Sequence, residues 1–219
     1  MKIPTKSPVR CSRQATLVKH SFFTLAALAS LLLGQNARAN TQDTVTGSAA
    51  ATALDSAGSY SGGLPGTTSD VVFASGTAYA GSFTLNAAAL GVGTLNDLSS
   101  IALTITGNKV LTFNGGSNSV TGANVSDLIY VAGGGNLTIN DSAAGALSFL
   151  SSGNIDNAGT LSLGTSAFTI GAAQKLTFTG SGTTTVGGAA AASTGAVSVA
   201  GGTVIFSGAN LYTGGLTLT

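Results

Sequence analysis

Past residue 39 of this 219-residue chain the only acids are seven aspartates and the only bases are Lys109 and Lys175. Histidine, cysteine, arginine, glutamate and tryptophan are absent from that part. The accessible chemistry is therefore narrow. Without imidazole or thiol there is no general base near neutrality, no thiolate nucleophile and no soft metal site. Serines are plentiful, yet no Gly-x-Ser-x-Gly elbow or phosphate-binding Gly-x-x-x-x-Gly-Lys loop is present. Gly133-Gly134-Gly135 runs into Asn136 and lacks the aspartate that continues a calcium-binding repeat. Paired carboxylates are what remains. The spacing of Asp127 and Asp156 can bring them together on neighbouring coils. At about 5–9.5 Å such a pair has the geometry of a glycosidase site. The competing reading places each aspartate in a turn, its side chain bonded to its own backbone. Asp70 before an apolar run, Asp97 after Asn96 and Asp141 after Asn140 suit that reading. No arginine is available to hold an acidic sugar, so the turn reading is preferred and no catalytic, cofactor or metal residue is assigned. Tyr60, Tyr79, Tyr130 and Tyr212 could stack on sugars or plug turns. Two lysines cannot neutralise a phosphate backbone, which excludes nucleic acid as a partner.

The elements that must carry these residues are short strands. An apolar–hydroxyl–apolar triplet recurs as Phe83-Thr84-Leu85, Leu103-Thr104-Ile105, Leu111-Thr112-Phe113, Leu137-Thr138-Ile139 and Leu147-Ser148-Phe149. It returns as Leu161-Ser162-Leu163, Phe168-Thr169-Ile170, Leu176-Thr177-Phe178, Val197-Ser198-Val199 and Leu216-Thr217-Leu218. Alternation with period two sends the apolar pair to one face and the hydroxyl to the other. Gly, Asn, Asp or Ser bounds nearly every triplet, which is turn chemistry. Val71 to Phe73, after the Pro65-Gly66 turn, is a further strand. Alanines 189–192, flanked by glycine, read as loop. Two or three short strands per roughly 20–30 residues is the spacing of a β-solenoid. A sandwich also gives short strands. Outward Thr, Ser and Asn in place of Lys and Glu favour the solenoid, because like residues can then stack in ladders. The reading is all-β, a right-handed parallel β-helix.

Residues 1–39 stand apart. Lys2, Lys6, Arg10, Arg13 and Lys19 precede an apolar run from Phe22 to Gly34, and Ala37-Arg38-Ala39 has a small-x-small cleavage pattern. That is the build of a secretory signal peptide, with cleavage expected between Ala39 and Asn40 and export by the Sec route. The apolar run is shorter than the ~20 residues that span a bilayer, and no later run approaches that length. Cleavage leaves seven aspartates against two lysines, a net charge of −5. It also removes the single Cys, Cys11, so the exported chain must be held by packing alone. Residues 40–58 read as a polar low-complexity lead-in and residues 59–219 as the solenoid.

The C-terminal stretch from Gly201 to Thr219 points to a family. Gly202, Thr203, Val204, Phe206, Gly208, Asn210, Tyr212 and Gly214 fall on the Gly-Thr-Leu-x-Leu-x-Gly-x-Asn-x-Tyr-x-Gly pattern of the autotransporter-associated β-strand repeat. The stretch resembles one full repeat: strand, turn, aromatic plug, turn, strand. The resemblance implies a passenger-like β-helix, secreted or held at the cell surface or outer membrane, structural or adhesive and not an enzyme. Its partners would be a surface glycan or a receptor on a host or neighbouring cell. The alternative is a glycan-binding or polysaccharide-degrading solenoid. The repeat would continue past Thr219, so the chain reads as truncated. Leu216-Thr217-Leu218 would then be an uncharged open edge capable of end-to-end self-association.

Overall fold

The computed structural model describes residues 40–46, 52–143 and 146–219, and they build a parallel β-solenoid. Every apolar–hydroxyl–apolar triplet lies on a strand, save that Leu163 falls just past the end of Thr160–Ser162, because burying both apolar residues on one side requires extended backbone with its neighbours in parallel register. The strands stack into three parallel sheets of eight, seven and six strands. The chain visits the sheets in turn, making six complete coils. A partial coil precedes them, with Thr41–Thr44 in the eight-stranded sheet and Thr52–Ala53 in the seven-stranded sheet. Pairing joins each strand to the equivalent strand one coil away, which rules out the sandwich. Among the described residues the one antiparallel contact outside the sheets is the Val45–Tyr60 bridge.

Register turns the sequence triplets into columns. Val71, Leu95, Ile129, Ile155, Phe178, Val199 and Leu218 stack in the eight-stranded sheet. Leu103, Leu137 and Leu161 stack in the seven-stranded sheet, and Leu111, Leu147 and Phe168 in the six-stranded sheet. Phe113 and Phe149 lie face to face, 4.9 Å between centroids at 11°. Phe73, Phe83, Phe113, Phe149, Phe168 and Phe178 are all but completely buried, each stabilising the fold by about 1.5–3 kcal/mol through removal from water. Outside, hydroxyls form the expected ladders. Ser82, Thr104, Thr138, Ser162 and Thr185 run in one column, and Thr112, Ser148 and Thr169 in another.

Two readings from sequence change. The stretch 40–58 is not merely a lead-in: Thr41–Thr44 pairs with Ser69–Val72 as the edge strand of the largest sheet. Pairing there needs only backbone groups, so a polar strand serves. Alanines 189–192, read as loop, fall mostly within the strand Ala190–Ser193. Ala190 is 1% exposed and lies in register with the bulky Phe168, where a small residue completes the column.

The N-terminal end of the core is closed by aromatic residues. Tyr79, Phe73 and Phe83 meet edge to face at 4.9–6.0 Å. Tyr60 donates to the Leu54 carbonyl at 2.7 Å, and the Tyr79 hydroxyl accepts the Ala74 amide at 2.6 Å. These two tyrosines plug the end of the coil stack. At the other end Leu216 and Leu218 are 52% and 73% exposed. No helix among the described residues is long and apolar enough to cross a membrane.

The sequence step between stacked core residues is not constant. It is longest from Leu95 to Ile129 and then shortens coil by coil through Ile155, Phe178, Val199 and Leu218. The long step contains residues 114–126. Instead of widening the coil, this segment folds back over the outer face of the eight-stranded sheet. A bulge helps to seat it. Asp127 pairs with Asn154 while Ile129 pairs with Ile155, leaving Leu128 as the extra residue. Leu128 is 1% exposed and packs against Gly153 on one side and Gly115 on the other.

Candidate functional site

Under residues 114–126 the eight-stranded sheet carries polar side chains that are buried on its outward face. Strand Ser69–Phe73 has every residue buried, as does Thr94–Asp97. The centre is Asp70, fully buried. Its Oδ1 accepts from Asn40 Nδ2 at 2.7 Å and from Thr94 Oγ1 at 2.7 Å. Its Oδ2 accepts from the Ser119 amide at 2.8 Å and the Ser119 hydroxyl at 2.7 Å. Asn96 donates to Thr94 Oγ1 at 2.8 Å and accepts from Asn118 at 2.8 Å, and Asn118 also donates to the Asp127 carbonyl. Four short donors hold a carboxylate that would otherwise carry a heavy desolvation cost.

Asp127 and Asp156, the pair singled out by spacing, are brought together at the rim of this region. Asn124 joins them: its amide donates to Asp127 Oδ2 at 2.6 Å and its side chain to Asp156 Oδ2 at 3.0 Å. Asn154 Nδ2 donates to the other oxygen of Asp127 at 3.1 Å. Burial raises the Asp127 carboxyl above its ordinary value, against the hydrogen bonds from Asn124 and Asn154, and the Asp156 charge raises it further. Tyr130, in register with Asp156, is raised by burial and then by the charges of Asp156 and Asp127. Two carboxyl groups beside a phenol is an arrangement compatible with acid–base work. Asp127, however, has no exposed surface for a substrate to touch.

The other aspartates sit largely as turn chemistry dictates. Asp97 Oδ1 accepts the Ser99 amide at 2.9 Å and Asp141 Oδ1 the Ala143 amide at 2.8 Å, both two residues on. Asp97 Oδ2 and Asp141 Oδ2 have no hydrogen bond among the described residues, while the backbone amides of Asn136 and Lys109 favour the charged form of Asp97 and Asp141 respectively. Burial raises both carboxyls. Asp55 behaves oppositely. Burial pushes it up, but the amides of Ala88 and Ala87 win and it ends lowered. No group of three or more metal-ligating side chains occurs among the described residues.

The residues of the terminal repeat form the last coil. Gly202 takes φ +69°, the left-handed turn conformation that glycine permits. Gly208 serves differently: a Cβ there would collide with the Gly188 carbonyl oxygen of the coil below. A Cβ on Gly214 would meet the Thr194 and Gly195 carbonyls at 2.5 Å. Val204 and Phe206 pack partly against the core, Phe206 edge-on to Phe178 at 5.6 Å. Asn210 and Tyr212 belong to a strand paired with Ala190–Ser193, and not to a turn. Tyr212 still covers the core there, half-buried.

Of the expected processing residues, Ala37 and Ala39 lie outside the described residues, as does the whole of 1–39. Asn40 is described, and it is 6% exposed. Its role in the Asp70 network was not apparent from sequence, since the donors to Asp70 come from distant parts of the chain. The available signal was the excess length between Phe113 and Asp127, rich in Gly, Ser and Asn. Comparison of the chain with protein-family profiles, curated proteins and solved structures gives no match.

Proposed function

We propose that this chain is the β-helical part of an exported protein, passenger-like in the manner of the autotransporter-associated repeats. Its role is structural or adhesive, at the cell surface, outer membrane or outside the cell, and not catalytic. The observation that carries the reading is the outer surface. Its regular positions are uncharged hydroxyl ladders one coil apart, while the aspartates serve turns, coil-to-coil ties and the buried network. Such a surface favours extended, repeated contact with a glycan or receptor over chemistry at one point. The parallel β-helix itself fits a passenger. The N-terminal basic–apolar–small segment supports export.

Expression of the full chain in an exporting Gram-negative host tests this. Protein recovered outside the inner membrane should begin at Asn40 on N-terminal sequencing and leave a panel of polysaccharides unchanged. Retention of Met1 on the recovered protein would defeat the export reading. The alternative, a glycan-binding or glycan-degrading solenoid, draws on Asp127, Asp156 and Tyr130 meeting on one face. Turnover of any polysaccharide that is abolished by Asp127→Asn or Asp156→Asn would establish it.

A further inference from the structure

We infer that the Asp70 network is a receptor for the chain's own processed N-terminus: the α-ammonium group that cleavage would create on Asn40 is the cation that this buried carboxylate receives. The inference rests on the export reading, since it is cleavage between Ala39 and Asn40 that produces this group.

Three observations converge. Asn40 is inserted into the fold, not trailing from it. It is 6% exposed, its amide nitrogen donates to the Ser117 carbonyl at 3.1 Å and its carbonyl accepts from Ser119 Oγ at 3.3 Å. A cradle of two glycines makes room for its side chain. A Cβ on Gly93 would collide with Asn40 Nδ2, and one on Gly116 with Asn40 Oδ1. The side-chain amide lands on Asp70, a fully buried carboxylate whose four hydrogen-bond donors are all uncharged.

Charge arithmetic gives the arrangement its sense. Past residue 39 there are two lysines and no arginine, and neither lysine is among the donors to Asp70. A buried carboxylate with neutral partners is held, but its charge is uncompensated. In an uncleaved chain the nitrogen of Asn40 is a neutral amide with one proton, donated to Ser117. Cleavage adds a positive charge and two donors at that atom, on the residue whose side-chain amide already bonds Asp70. Asp70 is the charged group facing the site from the adjacent strand, and residues 114–120 of the covering segment bring none. Asp43, on the strand that follows Asn40, faces Gly62 instead. Processing is thereby linked to stability: in the precursor the network that pins residues 114–126 onto the sheet is held by neutral donors alone, and cleavage adds the compensating charge beside it.

The test uses the solenoid from Asn40 to Thr219, which has its own hydrophobic core. Chains beginning at Asn40, at Ala39 and at Ala37 are generated in vitro by removing a cleavable tag, so the comparison does not depend on export. The Asn40 chain should melt several degrees above both extended chains, and Asp70→Asn should erase the difference. Equal midpoints for the three termini would overturn the inference. So would a difference that persists in Asp70→Asn, because a merely steric penalty of the extension survives loss of the charge. If Asp70→Asn does not fold, titration of the Asn40 α-amine by pH-dependent acylation decides. A value above the roughly 8 of a free terminus supports the pairing, and an ordinary or lower value refutes it. Failure of the export reading shows separately, as a different first residue on the secreted protein.

Discussion

At the scale of single residues, what matters is how a carboxylate is kept satisfied where only two lysines stand past residue 39. The molecule uses two solutions. Asp70 collects donors from distant coils, whereas Asp97 takes a local turn bond from Ser99 and leaves Oδ2 unbonded. The second solution is incomplete, and burial raises the Asp97 carboxyl accordingly. A folded-state value above the unfolded one means that the native chain holds the proton longer. The penalty on stability therefore starts to grow near pH ~3.9 and is complete once pH has passed the raised folded value. Two coils on, Asn157 occupies the same column and accepts the Gly159 amide in the same way, while its Nδ2 donates to Thr183 and Thr184. Asp97→Asn copies that arrangement. It should stabilise the fold at pH 7, because it removes the charged form that burial disfavours. It should also flatten the decline in stability above pH ~3.9. Urea unfolding at a series of pH values checks it, and an unchanged slope would contradict it. Turn aspartates were legible in the sequence because their bonds are local. Asp70 was not, because its partners are assembled only by coil stacking.

At the scale of elements, the triplets were readable because period-two alternation is the burial pattern itself: Leu-Thr-Phe and Phe-Thr-Ile are buried, half-buried, buried in the fold. Strands Thr94–Asp97 and Gly153–Asn157 escaped notice since their polar residues are covered or bonded by neighbours instead of solvated. The glycines were read chiefly as turn formers, yet several are required by the approach of the next coil. A Cβ on Gly188 would run into the Ser166 carbonyl oxygen, whereas Gly133 has open space around it and no left-handed φ. Gly188→Ala should therefore cost about 3 kcal/mol through overpacking, and Gly133→Ala should be close to neutral. Equal thermal midpoints for the two variants would show that coil spacing is less tightly set than the structure has it.

At the scale of the whole solenoid, the strands of each coil pair only with those of its two neighbours, and coil length is set by what happens at the corners. The long step from Leu95 to Ile129 and the short one from Val199 to Leu218 coexist with unbroken columns. The exposed turn at Gly133 and Gly134 should then accept foreign sequence. A Gly/Ser insert of about ten residues between them should lower stability by no more than about 1 kcal/mol, in keeping with the shallow dependence of closure entropy on loop length. A midpoint depressed by tens of degrees would contradict this. The folded-back segment 114–126 is the natural precedent, and it carries a consequence for descent. A lineage that grows by copying a coil can enlarge one copy at a corner, lay the surplus on the flank and try new side chains there while the hydrophobic stack is inherited unaltered. Innovation in such a molecule is added from the outside, and its history should be written in the lengths of its corners more than in the composition of its core.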